Sequence, residues 1–396
     1  MIYLDSAATS YYRPPCVKEA VAEAIDSFGN PSRGAYGSSL DADRCLFETR
    51  LRLASLFGAD GPDCVAYTMN ATHALNEALY GLDLKPGDHL IISLQEHNSV
   101  LRPAFRLRDS GVQVHIAGLH EDGTFDIDDY RSILEKIPKG QRIVTALAHG
   151  SNVTGNVIDL KAVSRLCRTY HSVLIIDAAQ TAGIIPVDMK KDGIDILCVS
   201  GHKGLMGPQG TGAILVRRGL ELKTLMEGGS GIKTYLEAMP PAMPAHLEAG
   251  TQNAHSIAGL GAALAFAEGK REGFRQKEME LKALFLEGIR MIDREYGTET
   301  RAAREEAVHV YGDPWADESL PTIAFNVRGY EAGKVADLLW QKKEIAVRAG
   351  GHCAPLIHRF FGTKKRGIVR VSFSHYNTGK QVEILTDTLR DIVNGI

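Results

Sequence analysis

Lys203 stands in the string Ser200-Gly201-His202-Lys203-Gly204-Leu205-Met206-Gly207-Pro208-Gln209-Gly210, directly after a mostly apolar run from Ile194 to Val199. A lysine amine at the end of a buried strand, close to other cationic groups, holds its proton less tightly and can form a Schiff base with a carbonyl compound. The glycines let the backbone approach a flat cofactor closely. Ser200 and His202 add two side chains able to bind phosphate. Pyridoxal phosphate combines these demands. The competing reading is a solvated lysine in a glycine-rich loop.

Four further strand-like runs end in polar residues of complementary chemistry. Asp177 closes Val173-Leu174-Ile175-Ile176 and precedes Ala178-Ala179-Gln180. A carboxylate there can pair with a protonated pyridine nitrogen and make the ring a better electron sink; the alternative is a helix cap. Asn70-Ala71-Thr72-His73 follows Val65 to Thr68 and opens a helical stretch. Free N–H groups and the Thr72 hydroxyl there would form a phosphate cup, with His73 beside it as a further cofactor-binding candidate. Thr is also an ordinary cap. His97, in Gln95-Glu96-His97-Asn98, is placed to stack on an aromatic cofactor or to serve only structure. Asn152, in Ser151-Asn152-Val153-Thr154-Gly155, could reach the cofactor's phenolic oxygen.

Cys353 lies in Arg348-Ala349-Gly350-Gly351-His352-Cys353-Ala354-Pro355. Glycine, histidine and arginine around a cysteine make an exposed, electropositive setting that activates a thiol; a buried loop cysteine is the plainer reading. Cys16, Cys45, Cys64, Cys167 and Cys198 read as small buried hydrophobes. Arg370 interrupts the apolar strand Val369 to Phe373. A buried arginine needs an anion: a substrate carboxylate held through two hydrogen bonds, or a structural Asp or Glu.

The elements that must position these residues read as α/β. Val65 to Thr68, His89 to Ser93, Val112 to Ala117, Ile143 to Leu147 and Val173 to Ile176 are strand-like. Glu19 to Asp26, Asp41 to Leu56, Ala74 to Leu79, Asp128 to Lys136 and Leu160 to Tyr170 have helical periodicity. This alternation predicts a doubly wound, mostly parallel sheet covered on both faces. One long helical stretch, Ser256 to Gly288, then leads to a smaller α+β unit with a strand at Thr322 to Val327, a helix at Ala332 to Lys342 and a strand pair around Val369 to Phe373. The expected division is a large cofactor-binding domain over 16–255 and a small domain built from 256–396 with the N-terminal segment 1–15.

The 396 residues carry a net charge of −3, which implies no strong field for nucleic acid or acidic membranes. No apolar run of about 18 residues is present to span a bilayer. The start has no signal-peptide pattern, and the six cysteines lack C-x-x-C pairing, so the expectation is a cytoplasmic, reducing setting without a metal site or disulfide framework.

Together these strings resemble the class V aminotransferase family, in its cysteine desulfurase and selenocysteine lyase branch. The resemblance runs in order from Tyr3-Leu4-Asp5-Ser6-Ala7-Ala8-Thr9 through Glu96-His97-Asn98, Asn152 to Gly155, Asp177 to Gln180 and Ser200 to Lys203. It continues through Glu248-Ala249-Gly250-Thr251-Gln252-Asn253, Arg348 to Ala354, Arg370-Val371-Ser372 and Tyr376-Asn377-Thr378. It implies a fold-type-I pyridoxal-phosphate enzyme. Lys203 would carry the cofactor and shuttle the Cα proton, Asp177 would pair with the pyridine nitrogen, Gln180 with the phenolic oxygen, and His97 would stack on the ring. Thr72, Ser200 and His202 would hold the phosphate, and Thr251 that of a neighbouring subunit in a homodimer. Asn152, Arg348 and Arg370 would face the substrate, and Cys353 would attack its sulfur. Two segments depart from the pattern: Gly350-Gly351-His352, where relatives often carry a second histidine, and Asn30-Pro31-Ser32-Arg33-Gly34. The short segment after Cys353 resembles the branch with an ordered cysteine loop.

The expected activity is conversion of L-cysteine to L-alanine with a persulfide on Cys353, for transfer to a sulfur acceptor such as an iron–sulfur scaffold protein. A selenocysteine lyase, another class V aminotransferase or lyase, and a binding partner without turnover are the alternatives. The sequence names neither the preferred chalcogen nor the acceptor.

Overall fold

The computed structural model describes residues 1–31, 34–299 and 304–395. Ser32 and Arg33 of the divergent N-terminal segment lie outside the described residues. The chain opens with β1 (Ile2–Tyr3), α1 (Pro15–Ser27) and α2 (Gly37–Leu56). A large sheet follows, built by β2 (Val65–Thr68), α3 (Ala71–Gly81), β3 (His89–Ser93), α4 (Asn98–Asp109), β4 (Gln113–Ala117) and α5 (Ile127–Lys136). It is completed by β5 (Ile143–Ala148), α6 (Leu160–Thr169), β6 (Val173–Asp177), β7 (Ile196–Ser200) and β8 (Gly212–Val216).

The strand order is β2-β8-β7-β6-β5-β3-β4, and only β8 runs against the others. Its central strands are buried on both faces, as a parallel sheet requires. Side-chain alternation divides them between two cores: Leu174, Ile176, Leu197 and Val199 join one, and Ile175, Ile196 and Cys198 the other. Because β2, β3, β5, β6 and β7 are parallel, their carboxyl ends converge on one edge, the position at which ligands gather in such sheets.

The second half begins with α7 (Ala254–Ala267) and α8 (Arg271–Tyr296), followed by a ribbon of β9 (Thr298–Glu299) and β10 (Arg304–Glu305). Then come β11 (Val308–Tyr311), β12 (Thr322–Val327), α9 (Ala332–Lys343), β13 (Ile345–Ala346), β14 (Arg348–Gly350), α10 (Pro355–Phe360), β15 (Ile368–Ser372) and α11 (Gly379–Val393). An antiparallel sheet, β11-β12-β15-β14, packs on α8, α9 and α11. The N-terminal segment belongs to this half: β1 pairs with β13, and Leu4 lies in its core.

The single helix expected over Ser256 to Gly288 is two helices. Gly269 takes a φ of +71° between them, a left-handed conformation that ends a helix at little cost. Ile257, Leu260 and Leu264 of α7 pack into the core of the large sheet. Among the described residues no helix is long and apolar enough to cross a membrane.

Candidate active site

The strand ends enclose a cavity of about 300 Å³. Its lining includes Thr72, His97, Asn152, Asp177, Gln180, Ser200, His202, Lys203, Arg348, Cys353 and Arg370. Two candidates stay out. The His73 ring folds onto its own helix, with Nδ1 accepting from the Met69 N–H at 3.2 Å and Nε2 facing Glu77 at 3.3 Å. Thr251 is exposed and does not line the cavity.

Lys203 follows β7 and is half-buried. Burial pulls its pKa down to about 8; Asp177 resists this, while Arg370 and Arg348 add to it. Asp177 ends β6 and caps no helix: the Ala179 N–H donates to its Oδ1 at 2.9 Å. Burial raises its pKa, opposed by that N–H and by Lys203.

His97 caps α4. Its Nδ1 accepts from the Ser99 N–H at 3.1 Å and lies 2.8 Å from Ser99 Oγ. Nδ1 is therefore the unprotonated nitrogen, and the ring proton is on Nε2. Burial, with Lys203 and Arg348 nearby, holds the His97 pKa down at about 4, so the ring is neutral near pH 7. Thr72 Oγ1 lies 2.7 Å from Ser99 Oγ, linking the start of α3 to the histidine. Asn70, not Thr72, caps α3, accepting from the His73 N–H at 2.9 Å. Ser200 Oγ is buried and has no hydrogen-bond partner among the described residues. His202 Nδ1 lies 2.9 Å from Thr9 Oγ1. Gln180 Nε2 donates to the Ala7 carbonyl at 3.0 Å.

Arg348 and Arg370 are direct partners across β14 and β15, so their side chains share one face. Arg370 is 2 % exposed. Its Nη2 donates to Asp5 Oδ1 and its Nη1 to the Asn152 carbonyl, each at 2.7 Å, while Nε has no partner. The structural carboxylate foreseen as an alternative for Arg370 thus exists, and an unsatisfied N–H remains beside it. Arg348 has no ion-pair partner among the described residues.

Cys353 is exposed, whereas Cys64, Cys167 and Cys198 are buried. Cys16 and Cys45 are only half-buried, against expectation; Cys16 packs at the margin of a small apolar cluster around Val17 and Ala263. His352 and Cys353 both adopt left-handed φ values, +46° and +56°. The turn is short: β14 ends at Gly350 and α10 begins at Pro355.

Sequence reasoning missed Ser99, Asp5 and Glu96. Glu96 is fully buried, with Oε1 2.5 Å from Ser93 Oγ and Oε2 accepting from the Ala148 N–H at 2.9 Å. It ties the ends of β3 and β5 together. Burial pushes its pKa up to about 8.

The site therefore combines a lysine of lowered pKa, a facing buried carboxylate, an electropositive mouth and an accessible thiol. A family model for class V aminotransferases matches residues 2–385. The chain is 31 % identical over 396 residues to a probable cysteine desulfurase of Methanothermobacter thermautotrophicus, covering 99 % of this chain and 94 % of the relative. It is 27 % identical over 406 residues to the cysteine desulfurase IscS of Neisseria meningitidis, covering 98 % and 91 %. Among solved structures it resembles an apo cysteine desulfurase from Thermococcus onnurineus NA1, with a TM-score of 0.90 and 29 % identity over 100 % of this chain and 95 % of that one. It also resembles the Escherichia coli cysteine desulfurase CsdA, with a TM-score of 0.84 and 26 % identity over 99 % and 94 %. With its motifs, fold and full-length similarity in agreement, the chain belongs to the class V aminotransferase family.

Proposed function

We propose that the protein is a pyridoxal-phosphate-dependent cysteine desulfurase. The observation that carries this reading is one cavity lined by both Lys203 and the exposed Cys353. The residues fit the cofactor. The orphaned Ser200 hydroxyl is a buried donor awaiting an acceptor such as phosphate, and the start of α3 opens onto the same cavity through Ala71 and Thr72. Asp177 suits the pyridine nitrogen, and the neutral His97 ring suits the cofactor face. When bound, the cofactor supplies an electron sink for the substrate Cα.

The chain's own residues do the rest. Lys203 Nζ, neutral above about pH 8, takes and returns the Cα proton. Arg348 and the free Nε of Arg370 hold the substrate carboxylate. The Cys353 sulfur attacks the substrate sulfur: the carbon–sulfur bond breaks, a sulfur–sulfur bond forms, and protons pass to the product carbon. L-Cysteine and the Cys353 thiol become L-alanine and a Cys353 persulfide, without an external oxidant. Thiol reductant or an acceptor protein then removes the outer sulfur.

A homodimer completes the reading. Thr251 is exposed, as a residue that serves a neighbour's phosphate must be. Leu225, Met226, Ile232, Tyr235 and Leu236 form an exposed apolar stretch in the same part of the chain. We also propose two domains divided at the 268–270 break, supported by their separate cores.

The test is release of alanine and sulfide from L-cysteine by loaded protein with a thiol reductant, with Cys353→Ala alongside. Equal amounts of both products, lost in the variant, are expected. Turnover of selenocysteine alone would indicate a lyase, and a requirement for a keto acid would indicate an aminotransferase.

A further inference from the structure

The turn that bears Cys353 is held by hydrogen bonds to its carbonyls. Asn152 Nδ2 donates to the His352 carbonyl at 2.7 Å. The Asn98 N–H donates to the Cys353 carbonyl at 2.7 Å. His352 Nε2 is fixed on the Ile368 carbonyl at 2.9 Å. Two consecutive non-glycine residues with left-handed φ are costly and persist only where their surroundings over-determine them. One N–H of the Asn152 side-chain amide is thus already engaged by the nucleophile's turn.

Asn152 also touches the arginine. Its backbone carbonyl accepts from Arg370 Nη1 at 2.7 Å. Arg370 Nη2 is engaged with Asp5, and only Nε lacks a partner. A carboxylate arriving at Nε can complete a two-pronged pair only through Nη2, the terminal nitrogen on the same side of the guanidinium, which Asp5 now engages; the Asn152 carbonyl holds the opposite nitrogen, Nη1. One residue therefore touches both the anion-binding arginine and the cysteine turn.

We propose that Asn152 is a positioning residue that couples occupancy of Arg370 by an amino-acid carboxylate to release of the His352–Cys353 turn. A carboxylate drawn onto Nε and Nη2 pulls the guanidinium, and with it Nη1, away from the Asn152 carbonyl; the amide shifts with it, and the His352 carbonyl loses its donor. The thiol then moves from its strained resting position when, and only when, a substrate is in place. This rests on the reading of Cys353 as the nucleophile.

The test is the alkylation rate of Cys353 by iodoacetamide in cofactor-loaded protein, read on the Cys353 peptide by mass spectrometry so that Cys16 and Cys45 do not contribute. L-Alanine, which has the carboxylate but no sulfur, is the probe. In the unsubstituted protein, saturating alanine should accelerate labelling by at least about fivefold. In Asn152→Ala and in the near-isosteric Asn152→Asp, labelling without alanine should already be fast. The response to alanine should shrink to within about twofold, although alanine still shifts the cofactor absorbance. No acceleration in the unsubstituted protein, or a full response in both variants, would overturn the coupling. Unchanged turnover in Cys353→Ala would instead overturn the desulfurase reading, and the labelling response would still decide the coupling.

Discussion

The Ser99 hydroxyl lies 2.8 Å from Nδ1 of His97, and the Ser99 N–H approaches the same nitrogen at 3.1 Å. Two donors on one ring nitrogen leave the proton on the other, which is free to serve the cavity. Ser99 Oγ is also 2.7 Å from Thr72 Oγ1. The state of the cavity-lining His97 is therefore set by a serine that also touches Thr72 of the proposed phosphate cup.

Replacing Ser99 with Ala removes one of these donors. A hydrogen bond of this kind contributes about 1 kcal/mol, so turnover should fall roughly fivefold. The sharper readout is nitrogen NMR of labelled histidine: the Nε2–H form of His97 should dominate in the unsubstituted protein and become mixed in the variant. An unchanged tautomer would show that the backbone N–H alone suffices.

Ser99 escaped sequence reasoning because α4 did. The helix carries Pro103 and three arginines, Arg102, Arg106 and Arg108, and is capped by a histidine rather than a usual N-cap residue. The Asp5–Arg370 pair escaped for a different reason: 365 residues separate its members, and they meet only because the N-terminal segment pairs with β13 and bridges from Asp5 to Ser372 at the end of β15. By contrast, Asp177, Asn152 and Lys203 were legible because each ends a short apolar run, and parallel strands bring such ends to one edge. The break at Gly269 was written in the sequence, but the apolar periodicity on either side masked it. The turn of the His73 ring onto its own helix was not legible, because it depends on the Met69 N–H and on Glu77.

Glu96 makes the site sensitive to alkali. Its pKa is raised from an ordinary 4.5 to about 8 in the folded protein. A carboxyl group shifted this way contributes fully below the unfolded value, and that contribution is lost as pH rises towards about 8. Glu96→Gln, which keeps the shape and cannot ionise, should therefore gain stability relative to the unsubstituted protein as pH rises from 5 to 8. Urea unfolding at several pH values measures this. A difference independent of pH would mean that Glu96 is ionised throughout.

Lys203 should set the pH dependence of cofactor loading. With its pKa lowered to about 8, half of the side chains are the neutral, aldehyde-attacking amine at that pH, and the neutral share shrinks steadily below it. Loading of the apoprotein by pyridoxal phosphate, followed by absorbance, should accelerate as pH rises through 8 and level off by about pH 9. In Lys203→Ala the Schiff-base absorbance should be absent and turnover should fall by about 10³-fold or more. A rate still rising steeply above pH 9 would mean an unperturbed lysine.

The most direct test of the account is the mass of the Cys353 peptide after cofactor-loaded protein meets L-cysteine without reductant. One additional sulfur atom on Cys353, formed with one alanine per site and released by a thiol reductant, is the predicted result. Alanine production with an unmodified Cys353 would contradict it.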